Sequence, residues 1–249
     1  MKKRTTGYAT SSGIQLLEVL VERHGELFAA DEAVEAARGL AISRSHAYKL
    51  LHDLTRSGFL RRLPTGLYVV ASSIAGGVEP HSFAIATHLV RPSAISHWSA
   101  LHHWGLVEQV PLVVTASTPK SVVTPEMRRT PARTPTGRRR EHAAWVIDGV
   151  RYEFTRIRSR DMFGVVQVWV DAKTEVPMFD KERALLDAFV QLREFGTGGL
   201  GEQILVGHPD EIDPEKLIGY AEEMGRPQVM ARLRAALDKA SINNPRPKA

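Results

Sequence analysis

The chain has 249 residues, a formal net charge of +5, 43% hydrophobic and 24% charged residues, an ordinary globular composition with room for one large domain or two modest ones. It has no cysteine, which excludes disulfide frameworks, thiolate metal sites, cysteine nucleophiles and thiol redox chemistry, and fits a reducing compartment. No apolar run approaches the ~20 residues of a membrane span, and no signal-peptide core follows the charged start Met1-Lys2-Lys3-Arg4, so a cytoplasmic protein without a membrane partner is expected.

From Ser11 to His24, Ile14, Leu17, Leu20 and Val21 recur at helical spacing behind the possible caps Ser11 and Ser12, and Gly25 ends the run. A second, short helix is expected from about Ala30 to Arg38. Asp31 and Glu32 lie in its first turn, where the helix dipole favours acids, and Gly39 is its terminator. After the brief turn Gly39-Leu40-Ala41-Ile42, Ser43 caps a third helix in which Ala47, Leu50, Leu51 and Leu54 form one buried stripe ending near Ser57-Gly58. Phe59 to Leu63, the turn Pro64-Thr65-Gly66 and Leu67 to Val70 read as a β-hairpin. Three helices followed by a hairpin is the order of a winged helix-turn-helix.

The polar face of the third helix carries Arg44, Ser45, His46, Lys49, His52 and Arg56. Between Ile42 and Ser72 there are five Arg or Lys against one acid, Asp53. A helix of this size fits the major groove of double-stranded DNA, with its amino-terminal side chains at base edges and hairpin arginines at phosphates. Ser43, Arg44, Ser45, His46, Lys49, His52 and Arg56 are therefore the expected groove-facing set, with Arg61 and Arg62 on the backbone. The alternatives are a solvated helix face, or a protein-interaction adaptor with no nucleic-acid role.

Ala71 to Pro80 gathers Gly, Ser and Pro and loses periodicity, which places a domain boundary there. The expected organisation is α+β, with residues 1–76 forming the winged helix-turn-helix and 80–249 a larger mixed α/β domain. Helices are expected over Ser82 to Val90 and Ser96 to Trp104, and a buried strand over Leu112 to Ala116. The segment 118–140 is Pro- and Thr-rich, with seven Arg or Lys between Lys120 and Arg140. It reads as an exposed basic connection able to extend a DNA footprint. Strands recur at Ala143 to Ile147, Tyr152 to Ile157 and Val165 to Val170, with a hairpin turn at Asp148-Gly149. Helices are then expected over Lys181 to Phe195, Pro214 to Met224 and Pro227 to Lys239.

The one catalytic pattern worth weighing is Asp171-Ala172-Lys173 after the apolar strand Val165 to Val170. Metal-dependent nucleases place an acid and a lysine two apart at a strand end. It needs a further acid, and Asp148, Glu153 and Asp161 are equivalent candidates. Glu182 and Asp187, five apart on a helix, read as capping and solvated acids. His97, His102 and His103 lack the acid or thiol neighbours of a zinc site and read as structural or surface residues. No phosphate-binding loop, Gly-x-Ser-x-Gly or dinucleotide fingerprint is present. No catalytic residue, cofactor or metal is expected, and the chain reads as a non-enzyme.

Several strings resemble the AbiEi family of antitoxins from type IV toxin-antitoxin and abortive-infection systems. They are Ile42 to Val70, Ile95 to Leu106 (Ile-Ser-His-Trp-Ser-Ala-Leu-His-His-Trp-Gly-Leu), Met162-Phe163-Gly164, Asp180 to Asp187 (Asp-Lys-Glu-Arg-Ala-Leu-Leu-Asp) and Gly198-Gly199-Leu200. The resemblance implies a transcriptional repressor of its own operon, acting at a promoter or operator, and paired binding to inverted repeats is expected of a winged helix. The resemblance also implies an antitoxin domain that counteracts a nucleotidyltransferase-like toxin without a necessarily stable complex. Arg44, Ser45, Lys49, Arg61 and Arg62 match the family's basic DNA-reading surface by position.

Overall fold

The computed structural model describes residues 7–71, 79–123, 144–190 and 199–243. It is a mixed α+β protein made of two compact units, Met1–Leu89 with Val170–Thr174, and Val90–Trp169 with Glu175–Ala249.

The first unit runs α1 (Gly7–His24), β1 (Leu27–Ala29), α2 (Ala30–Gly39), α3 (Arg44–Arg56), β2 (Leu60–Arg62), β3 (Leu67–Val70) and α4 (Ser82–Leu89). Its antiparallel sheet has the order β1-β3-β2, with Leu27 opposite Val69 and Leu60 opposite Val70. The anticipated stripe Ala47, Leu50, Leu51 and Leu54 is buried against Leu16, Leu17 and Leu20 of α1 and Ala33, Ala36 and Ala37 of α2. Fully burying one such leucine contributes about 1.5–3 kcal/mol, which fixes α3 by one face and leaves the other outward. Ser43 caps α3 by accepting the His46 N–H at 3.4 Å, and the Glu32 carboxylate accepts the Ala29 N–H at 2.7 Å at the start of α2.

Four local details differ from expectation. Helix α1 begins at Gly7, so Ser11 and Ser12 lie within it rather than capping it. Strand β1 is only three residues long and sits between two helices, too short to register as a pattern. Gly39 is the last helical residue rather than the terminator, and the left-handed turn falls to Ala41 at φ 57°. Helix α4, expected in the second domain, groups with the first unit, where it packs on β1.

The second unit contains β4 (Ala94–Ile95), α5 (His97–His103), β5 (Val113–Thr118), β6 (Trp145–Ile147), β7 (Val150–Arg156), β8 (Val165–Trp169), β9 (Glu175–Phe179), α6 (Lys181–Val190), α7 (Leu200–Gly207), α8 (Pro214–Met224) and α9 (Pro227–Asn243). Its six-stranded sheet has the order β6-β7-β5-β4-β9-β8. The β7/β5 and β4/β9 pairs are parallel and the rest antiparallel. Helix α5 packs on β5 and α6, and α6 packs in turn on α7, α8 and α9. Helix α8 spans the expected residues because Asp213 caps it, accepting the Glu215 and Lys216 N–H groups, and Gly225 ends it at φ 64°.

Leu112, expected in a buried strand, is 93% exposed, and β5 starts one residue later. The expected strand Val165 to Val170 is present over Val165–Trp169. It is β8, the edge of the sheet, and Val165, Val166 and Trp169 are exposed. Residues 124–143, which hold most of the basic connection, and 191–198, the end of the helix expected from Lys181 to Phe195, lie outside the described residues.

Candidate nucleic-acid interface

Helix α3 presents Arg44, Ser45, His46, Lys49, His52 and Arg56 on its exposed side, with Ser43 exposed just before it. The Ser43 and Ser45 hydroxyls lie 3.3 Å apart at the helix start. His52 Nδ1 lies 3.5 Å from the carboxylate of Asp53, the single acid of the helix. The face thus combines three cations, two histidines and two hydroxyls, donors suited to phosphates and to base edges.

Tyr48 belongs to this surface although the sequence reading passed over it. It is 42% exposed, and the Arg44 guanidinium lies over its ring at 5.9 Å. The available signal was its position, one turn after Arg44 and outside the leucine stripe.

The hairpin separates its two arginines. Leu63 N–H bonds Leu67 O at 2.8 Å and closes the turn at Pro64-Thr65-Gly66. Arg62 is exposed, with its guanidinium 6.0 Å from the centre of the Tyr68 ring. Arg61 is half-buried and pairs with Glu79 at 3.1 Å. Sequence proximity had made the two equivalent, but Arg61 already holds a carboxylate.

The second unit buries a set of charged side chains. Glu182 and Asp187, expected to be solvated, are 6% and 0% exposed. Arg183, 1% exposed, bonds Asp187 one turn along α6 and also donates to the Asp161 carbonyl at 3.3 Å. Its guanidinium lies 4.3 Å from the Phe179 ring centre and 5.0 Å from that of Phe163. His97, 2% exposed, faces the other Asp187 oxygen at 3.9 Å, and its Nδ1 lies 2.7 Å from the Ser96 hydroxyl. Glu182 accepts the Asp213 N–H at 3.1 Å and Lys216 at 2.9 Å. Asp180 accepts Lys216 at 3.0 Å and the Tyr220 hydroxyl at 2.7 Å. These acids join α6 to α5 and α8, so their burial is offset by partners on other elements.

Gly164 shows how tightly this centre is packed. At φ +66° it lies where a Cβ would meet the Arg183 Cβ at 2.7 Å, so only glycine fits without displacing the buried arginine.

The cluster carries a pH signature. Desolvation and the hydrogen bond to Asp180 push the Tyr220 phenol up to about 12. For Lys216 desolvation works the other way, but its bonds to Glu182 and Asp180 prevail and raise the ammonium above its usual range. In both cases the folded state holds a proton that the unfolded chain releases first. Their contribution is therefore full below pH about 10, that of Tyr220 being lost as pH rises through about 12 and that of Lys216 persisting further. Tyr220→Phe should flatten this alkaline loss, as measured by urea unfolding at stepped pH.

The chemistry of Asp171 and Lys173 is that of a turn. Asp171 is exposed and accepts the Lys173 N–H at 2.8 Å. Of the further acids considered, Glu153 pairs with Arg151 and Asp161 with Arg226. Among the described residues no three His, Asp or Glu side chains converge as metal ligands, and no helix is long and apolar enough to cross a membrane.

No family model and no curated protein matches the chain. The chain is similar in structure to the RV2827C protein from Mycobacterium tuberculosis, with a TM-score of 0.56 over 92% of this chain and 77% of that one. At 16% sequence identity the likeness is one of fold.

Proposed function

We propose that the chain is a DNA-binding transcriptional regulator whose first unit is a winged helix-turn-helix. In this reading α3 enters the major groove, and Arg44, Ser45, His46, Tyr48 and Lys49 meet base edges or the groove wall. Arg56 and Arg62 hold phosphates. The observation that carries the reading is the division of α3 into a fully buried leucine face and an exposed face of cations and hydroxyls. A solvated helix needs no such bias, since its ordinary composition mixes both charges.

The resemblance in the Ile95 to Leu106 and Asp180 to Asp187 strings extends the proposal. The protein would be the antitoxin of a type IV system, repressing its own operon and counteracting a nucleotidyltransferase-like toxin in the cytoplasm. The buried, ion-paired state of Asp180, Glu182, Arg183 and Asp187 supports a scaffolding role for that string.

The test is an electrophoretic shift on the duplex upstream of the protein's own coding region, against random duplex of equal length and salt. Retention of the upstream duplex that is orders of magnitude tighter supports the reading, and no salt-dependent retention of either duplex rejects it.

The Glu79 pair adds a directional prediction. In this reading the carboxylate competes with phosphate for Arg61 and repels the backbone. Glu79→Gln should then raise affinity about 3- to 10-fold and steepen the log–log salt slope by about one. Titrations at several salt concentrations read both quantities, and an unchanged slope would remove Arg61 from the footprint.

A further inference from the structure

Strand β8 ends the six-stranded sheet, and among the described residues no strand pairs with its outer side. Natural sheets guard such edges with Lys, Pro, bulges or brevity. This edge has none of these: it reads Val165-Val166-Gln167-Val168-Trp169, with Val165 37%, Val166 36% and Trp169 61% exposed.

The ladder to β9 fixes which backbone groups are free. Asp180 N–H donates to Gly164 O, and Val170 N–H donates to Thr174 O, each at 2.9 Å. In an antiparallel pair the hydrogen-bonded positions alternate. Gly164, Val166, Val168 and Val170 thus bond inward to β9, while the N–H and C=O groups of Val165, Gln167 and Trp169 point outward. Pro177, which has no N–H to give, sits opposite Gln167, in keeping with this alternation.

The strand is also its own complement. Laid antiparallel on a copy of itself about a twofold axis at Gln167, it sets Val165 against Trp169, Val166 against Val168 and Gln167 against Gln167. All three outward positions are then hydrogen-bonded pairs, each residue keeps its sheet face, and no charge is buried. A slip by two residues in either direction loses an outward pair. The strand carries no charged residue, so a second copy of this chain, with its net charge of +5, meets no like charge along the seam.

We infer that β8 is a homodimer edge, pairing antiparallel with β8 of a second copy to join the two six-stranded sheets. A seam this short lies at the small end of specific interfaces and implies a monomer–dimer equilibrium at micromolar concentrations or weaker. The inference is independent of the DNA reading, because its readout contains no nucleic acid.

Sedimentation equilibrium of the full chain from about 5 to 500 μM, a range set by that interface size, tests it. The wild type should show reversible dimerisation. Gln167→Pro removes an N–H that points away from β9, so it spares the intramolecular ladder while breaking the central pair. Gln167→Lys sets two like charges directly opposite each other. Each should weaken association at least tenfold with the thermal transition of the dilute monomer unchanged. A wild type that stays monomeric throughout, or a dimer indifferent to both substitutions, would overturn the inference.

Discussion

Arg44→Glu combined with Lys49→Glu should lower affinity for the upstream duplex roughly 10²- to 10⁴-fold. A good side-chain contact to a base edge is worth about 1–3 kcal/mol, tenfold costs about 1.4 kcal/mol, and the reversed charges add repulsion from phosphates. Folding should be spared. Both residues are exposed, and surface substitutions of this kind shift stability by about 0.5 kcal/mol or less. The first exchange even places an acid in the first turn of α3, where none now stands and where the helix dipole favours one. Fluorescence anisotropy with a labelled duplex, alongside thermal unfolding of the same samples, separates binding from folding. Unchanged affinity with an intact transition would remove α3 from the interface and reject the regulator reading.

Asp187→Ala should be the most damaging single truncation in the second unit. Arg183 would keep its charge at 1% exposure while losing its main partner, and breaking a buried pair in this way costs about 3–5 kcal/mol. For a chain of this size that is a fall of roughly 10 °C in Tm. Asp187→Asn keeps the shape and a hydrogen-bond acceptor, so it should cost less. Replacing both partners, Arg183→Met with Asp187→Leu, should recover much of the loss, because removing a whole buried pair is often close to neutral. Calorimetry on the three variants checks the order. A cost under about 1 kcal/mol for Asp187→Ala would mean that water reaches Arg183 and that the pair is not an internal tie.

The two predictions differ in how far their residues could be read in advance. The α3 surface was legible because a 3.6-residue period states both what is buried and what is not: Ala47, Leu50, Leu51 and Leu54 point one way, and the cations are what remains. Helix α8 was legible from its ends, through Asp213, Pro214 and Gly225. Asp187 was not. Burial of an acid depends on Arg183 one turn along and His97 far back in the chain, and no local period records a partner that folding brings from elsewhere. The same limit hid the Arg61–Glu79 pair, 18 residues apart. Strand β8 was legible as a strand but not as an edge: a run of valines says that an apolar environment is sought but not whether this chain provides it. Tyr48 was overlooked although the same period places it outside the leucine stripe, because the polar face was picked out by charge and hydroxyls and a ring carries no charge.

The contact between Arg44 and Tyr48 bears on how quickly and cheaply a groove could be engaged. A free arginine samples many rotamers, and freezing one on association costs about 0.5–1.5 kcal/mol. Resting on the tyrosine ring, Arg44 has surrendered part of that freedom before any duplex arrives. In the proposed reading the α3 surface is in this respect pre-organised, and part of the entropy it would lose on contact was already given up when the helix folded.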